Sequence, residues 1–129
     1  MSLQTILAIG SGGFMGAVLR AYLNGLISHK VPHDLPYGTL GVNLIGSFLM
    51  GILIAYFMYT SFFSLSAKSF LSTGILGALT TYSTFAIESF LLLEGGHIIL
   101  ALANISLNAF GSIFMAGSGF YLIKYFFKS

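Results

Sequence analysis

The chain has 129 residues, of which 57% are hydrophobic and only 6% charged, with a mean hydropathy of +0.96. Soluble domains carry about a quarter charged residues, so this composition excludes a water-facing globule. Cysteine is absent and the net charge of +2 comes from scattered cations without a basic stripe, which excludes disulfides, thiolate chemistry and a nucleic-acid partner.

A hydrocarbon core about 30 Å thick takes roughly 20 apolar residues per helix, and four such stretches are predicted as membrane spans. The first runs from Leu3 to Ile27. It is too long for a signal-peptide core, lacks a basic flank and carries Arg20 inside it, so a retained helix is expected. Gly12 with Gly16, and Gly13 with Ala17, give the small-xxx-small spacing that lets helix backbones approach closely in lipid. An isolated buried cation is costly, so Arg20 either draws anions toward a mouth or snorkels to the interface as an anchor.

Residues His29 to Pro36 contain both prolines and Asp34 and end the first helix. The second span, Tyr37 to Tyr59, carries Asn43 in its early part and pairs Ser47 with Gly51. The Asn43 amide has two hydrogens to turn toward an anion, although taken alone an interhelical hydrogen bond is the stronger reading. Thr60 to Lys68 is a serine-rich connection.

The third span, Phe70 to Leu93, holds the most informative run of the chain: Gly74-Ile-Leu-Gly77-Ala-Leu-Thr80-Thr81-Tyr82-Ser83-Thr84-Phe85. Lipid offers no water to a loosened backbone, so this run must remain helical or line a protected polar cavity. Interrupted helices at membrane depth are where ions bind, because they present free N–H and C=O groups. The third helix is therefore expected to break near its middle. Tyr82 and Phe85 share a helical face, and aromatic ring edges are electropositive. Glu88, one turn further on, is either a coupling carboxyl or a hydrogen-bonding group in a water-filled mouth.

Leu93-Glu94-Gly95-Gly96-His97 is a tight turn. The fourth span follows from Ile98 to Phe127, with Asn104, Asn108 and Ser112 at i, i+4 and i+8, which puts all three on one face. That polar stripe favours a wet path over a polar seam between helices. Four spans put both termini on one side. Lys68, Lys124 and Lys128 lie there against Lys30, with Arg20 near the other side. So weak a bias leaves both orientations accessible and makes pairing with an inverted copy feasible. No constellation supports catalysis: the histidines fall in loops or at helix ends, and no His-Glu metal motif or phosphate loop is present.

Gly12 through Arg20, Gly38 through Gly46, and Gly74 through Phe85 with Glu88 resemble the Fluc (CrcB) fluoride channels, in order and with suitable spacing over most of the chain. The Thr80-to-Phe85 block is the most specific part. The resemblance implies an all-α integral membrane fold over residues 1–129, forming an antiparallel, dual-topology dimer in a prokaryotic plasma membrane. It also implies passive export of cytoplasmic fluoride through two narrow pores. A structural Na+ at the dimer interface is implied on the backbone carbonyls of Gly77 and Thr80 from both copies. Carried over by position, the fluoride pathway comprises Asn43, Tyr82, Ser83, Thr84 and Phe85, with Asn108 and Ser112, while Arg20 attracts anions near a mouth. Tyr82 stands where the family usually has Phe, and Asn104 where a tyrosine is often found. The alternative readings are a small proton-coupled exporter using Glu88, and a non-conducting subunit paired with a similar chain.

Overall fold

The computed structural model describes residues 1–30 and 35–128. Pro32, His33 and Asp34 of the first connection lie outside the described residues.

Ser2 opens the first helix. Its hydroxyl accepts the Thr5 amide hydrogen at 3.1 Å, a serine cap on an amide with no partner in the first turn. Helix α1 then spans Leu3–Lys30, three residues beyond the expected end at Ile27, because proline comes only at position 32. Helix α2 spans Tyr37–Tyr59, as the hydropathy predicts.

The third span begins earlier than expected. Ser64 caps a short helix α3, Leu65–Ser69, by accepting the Ala67 amide hydrogen at 3.2 Å, so part of the serine-rich connection is already helix. A π-helical segment, Phe70–Leu76, follows, then a last helical turn α4, Gly77–Leu79. Within this stretch Ser72 Oγ donates to the Lys68 carbonyl at 2.6 Å, a back-bond that loosens a helical ladder locally. After a break at Thr80 and Thr81 the span resumes as α5, Tyr82–Glu94. Gly96, at φ +83°, makes the expected turn, and its left-handed backbone favours glycine. Helix α6 runs from Ile98 to Lys128. Among the described residues, four helical stretches are thus long and apolar enough to cross a membrane, the third of them interrupted.

Glycines set the packing. A Cβ at Gly12 or Gly16 would strike the carbonyls of Phe70 and Ile75, so α1 touches the first half of the third span backbone to backbone. This assigns the first small-residue pair to contacts inside the chain. Gly13 has open space around it. Helices α2 and α6 run side by side in the same direction. Gly51 abuts Ala116, Gly119 abuts Phe48, and at the far end Tyr59 stacks on Phe127 with ring centroids 5.7 Å apart. Around that end Tyr56 and Phe57 make edge contacts with Phe63, and Lys68 Nζ lies over the Phe57 ring.

The interior is unusual for its polarity. Buried Leu40, Val42, Ala55, Leu76, Leu79 and Ala101 share it with Thr39, Asn43, Thr81, Ser89, Asn104 and Asn108, while many large apolar side chains face outward. That distribution suits a chain whose solvent is lipid, where apolar surface gains nothing by hiding.

Candidate functional site

Two threonines break the third span. Thr80 (φ −84°, ψ 156°) and Thr81 (φ −146°, ψ 113°) are extended, so the helical ladder stops at Leu79 and restarts at Tyr82. Thr81 caps α5: its Oγ1 accepts the Thr84 amide hydrogen at 3.3 Å and donates to Thr84 Oγ1 at 2.9 Å. Thr80 folds back, its amide and hydroxyl both reaching the Leu76 carbonyl at 3.2 Å.

Asn43 clamps the extended backbone. The Thr81 amide donates to Asn43 Oδ1 at 2.8 Å, and Asn43 Nδ2 donates to the Thr81 carbonyl at 3.2 Å. A backbone N–H can only donate, so it fixes which end of the Asn43 amide faces it. Away from water such a break needs this replacement for its missing helical bonds. The clamp has a second effect. The donors that would serve the Gly77 and Thr80 carbonyls four residues on are Thr81 N–H and Thr84 N–H. These bind Asn43 Oδ1 and Thr81 Oγ1 instead.

Behind the clamp lies a line of amides. Asn43 Nδ2 also donates to Asn108 Oδ1 at 2.9 Å. Asn108 Nδ2 donates to both the carbonyl and the Oδ1 of Asn104, at 2.9 and 3.1 Å. Asn104 Nδ2 donates to Ser89 Oγ at 2.9 Å. Both hydrogens of the Asn43 amide are therefore given to protein acceptors, where the sequence left them available for an anion.

Beside the break opens a cleft of about 400 Å³, lined by Asn43, Ser47, Thr80, Thr81, Tyr82, Phe85, Ile105, Asn108, Ala109 and Ser112. Tyr82 and Phe85 meet there edge to face, centroids 5.5 Å apart. Of the residues expected from the sequence, the fold brings Asn43, Tyr82, Phe85, Asn108 and Ser112 to this cleft together with Thr80. Ser83 and Thr84 occupy the first turn of α5 but do not line it, and half-buried Arg20 and exposed Gly77 also stand outside its lining.

Asn104 departs from the expected wet stripe. It is 0% exposed and bonded to Ser89, so α6 turns one asparagine to a helix seam and the next to the cleft. Ser47 and Ser89 were not anticipated as site residues. Ser47 had a signal, since it lies one turn after Asn43 and shares its face; Ser89 had none beyond being a hydroxyl in an apolar span. Nearby, Glu88 approaches the Thr39 hydroxyl without closing a bond of ordinary geometry. Glu88 Oε1 and Thr39 Oγ1 are buried with no hydrogen-bond partner among the described residues. No group of His, Asp and Glu among those residues is arranged to hold a metal ion.

Comparison with known proteins bears on this geometry. The model of the family described as CrcB-like protein, Camphor Resistance (CrcB), matches residues 7–120. The fluoride-specific ion channel FluC of Sulfurimonas denitrificans is 83% identical over 124 residues, 96% of each chain. The FluC of Nautilia profundicola is 52% identical over 120 residues, 93% of this chain and 94% of its own. That of Campylobacter jejuni is 43% identical over 122 residues, 95% of this chain and 99% of its own.

Proposed function

The chain belongs to the CrcB-like family, and on that premise we propose that it is a passive, fluoride-selective channel exporting fluoride across a bacterial cell membrane. Its relatives are named as ion channels, a transport class and not an enzyme class, and the four apolar helices make it a multi-pass membrane protein.

The observation that carries the reading is the cleft beside the break, which offers an anion hydroxyls, ring edges and a helix amino end without a fixed cation in its lining. Fluoride is small and strongly hydrated. A selective path must replace its water with close donors, and conduction requires that none of them hold it tightly. Ser47 and Ser112 supply hydroxyls. Tyr82 and Phe85 supply electropositive ring edges. The amino end of α5, with Ser83 and Thr84 on its first turn, adds the positive end of a helix dipole. Asn43 and Asn108 form the wall, held by each other and by Thr81. Arg20 attracts anions toward a mouth.

One chain makes half of such a path. Tyr82 is 80% exposed although it lines the cleft, and an inverted second copy would cover it. The dimer would then hold two pores, in keeping with the weak charge bias between the two ends. Na+ suits the Gly77 and Thr80 carbonyls: their usual donors are diverted, and both lie at the carboxyl end of a half-helix, where transporters coordinate sodium. With two oxygens per chain, both copies would contribute ligands. The bound cation would supply positive charge that offsets the cost of anions nearby.

The test is fluoride efflux from liposomes holding only this purified chain, read with a fluoride electrode beside chloride. Fast fluoride release with no pH gradient, unchanged in Glu88→Gln, is expected. Silence from folded, inserted protein overturns the reading in favour of an obligate second subunit. Transport that needs a proton gradient and is lost in Glu88→Gln overturns it in favour of a coupled exporter.

A further inference from the structure

The amide line behind the cleft has a direction. Thr81 N–H gives to Asn43, Asn43 to Asn108, Asn108 to Asn104, and Asn104 to Ser89, at distances between 2.8 and 3.1 Å. In each asparagine the oxygen accepts from one neighbour and the nitrogen donates to the next. Turning Asn43 or Asn108 over would set N–H against N–H and break bonds on both sides; turning Asn104 over would do so toward Asn108, while the Ser89 hydroxyl can reverse and donate. Chains of this kind polarise and strengthen one another where the dielectric is low.

The line also closes on itself. It leaves the third span at Thr81, crosses α2 at Asn43 and α6 at Asn108 and Asn104, and returns at Ser89, two turns along the same half-helix. Ser89 is the one buried residue of α5. All members are at most 8% exposed, so water does not substitute readily for a lost partner. Asn108 depends on Asn104 twice, for a backbone and a side-chain acceptor. Without the second, one Asn108 N–H loses its side-chain acceptor, and the amide is free to turn away from Asn43 in search of another.

We propose that Asn104 is a positioning residue for the break: seated by Ser89, it holds Asn108 against Asn43, and through Asn43 it fixes the Thr81 backbone and the direction in which the α5 amino end faces the cleft. Asn104 touches no permeating ion. Its consequence for transport rests on the channel reading, but its consequence for the Thr81 amide does not.

The experiment uses the full chain in liposomes and the variants Asn104→Leu, Ser89→Ala and both together. Hydrogen exchange is read by mass spectrometry on peptides covering Thr81, alongside fluoride and chloride efflux per inserted protein and thermal midpoints. Asn104→Leu is expected to speed exchange at Thr81 about tenfold, the factor that goes with one buried hydrogen bond. Ser89→Ala should give a smaller increase of the same kind. The double variant should be no worse than Asn104→Leu alone, because both act through one line. Exchange at Gly51, in the glycine contact of α2 with α6, should not move, and the fluoride-to-chloride ratio should fall with the Thr81 effect.

A lowered midpoint with Thr81 exchange unchanged overturns the proposal and leaves Asn104 a seam residue. Additive effects of the two substitutions on Thr81 overturn it as well. If Asn104→Leu does not fold, Ser89→Ala decides by the same exchange readout. If the wild type passes no fluoride, the channel reading fails while Thr81 exchange still decides the positioning role.

Discussion

The two halves of the broken third span are held by opposite means. The first, from Leu65 to Leu79, lies on α1 through Gly12, Gly16 and Gly74, with backbone against backbone. The second, α5, presents Ile87, Phe90, Leu91 and Leu93 outward, and its only buried residue is Ser89. It is placed by a cap, a clamp on Thr81 and one serine, all polar. Shape does most to hold the first half, beside one hydroxyl contact of Thr5 with Ser66 at 3.3 Å, and directional bonds do most to place the second. In lipid both strategies are available, because hiding apolar side chains is not what drives assembly there. The difference also separates tasks: a rigid platform ends at Leu79, and the polar surface that follows is oriented by bonds that can be aimed.

That contrast can be broken from either side. The largest effect is expected on the glycine side. Gly16→Val would drive its Cβ into the Ile75 carbonyl, and overpacking against backbone is expected to cost about 3 kcal/mol or more, read as loss of monodisperse protein and a lowered thermal midpoint. Gly13→Ala, into open space, should leave the midpoint in place. On the polar side, Asn43→Leu strips Thr81 N–H and Asn108 Oδ1 of their partner. Each orphaned group costs about 1–3 kcal/mol. Fluoride efflux should fall at least about tenfold, the factor that goes with 1.4 kcal/mol, while the protein stays monodisperse. Wild-type efflux in this variant would mean that the path lies elsewhere. The smallest stability effects belong to the aromatic pair. Phe85→Ile should lower fluoride flux sharply with little change in midpoint. Tyr82→Phe should shift stability by less than about 0.5 kcal/mol, since that ring is 80% exposed, and should preserve flux. A collapse of flux in Tyr82→Phe would assign the phenol a part in permeation.

Much of the platform was legible in the sequence. Span lengths follow from bilayer thickness, and the hydroxyl run announced the break because a glycine-spaced, polar stretch in lipid must stay helical or line a protected polar cavity. Gly12 and Gly16 were legible as a contact surface, though not as one spent inside the chain. The π-helical stretch was not legible; it lies where Gly74 meets Gly12 of another helix, a contact the local sequence does not show. Asn104 shows the same limit. Its spacing from Asn108 and Ser112 puts the three on one face, but whether that face meets a cleft or a seam is decided by the neighbour. For Asn104 the neighbour is Ser89; for Ser112 it is open space beside the break. Likewise the amide at position 43 was visible, and the commitment of both its hydrogens was not, since its acceptors come from distant parts of the chain.

The parallel run of α2 and α6 has a consequence for the shape of the two mouths. Asn43 pairs with Asn108 at a separation of 65 residues, and at that register Tyr37 stands level with Leu102. The residues from Ile98 to Ala101 therefore rise about 6 Å above the start of α2, at 1.5 Å per residue. At the opposite end the same register puts Tyr59 level with Lys124, so α6 runs about 6 Å past the end of α2 there as well, with Phe127 stacked back on Tyr59. Helix α6 thus overhangs α2 by the same length at both ends of the subunit. In an inverted pair, each leaflet would receive one of each end, so the two faces of the membrane would present identical rims, and an ion would meet the same landscape whichever way it travelled.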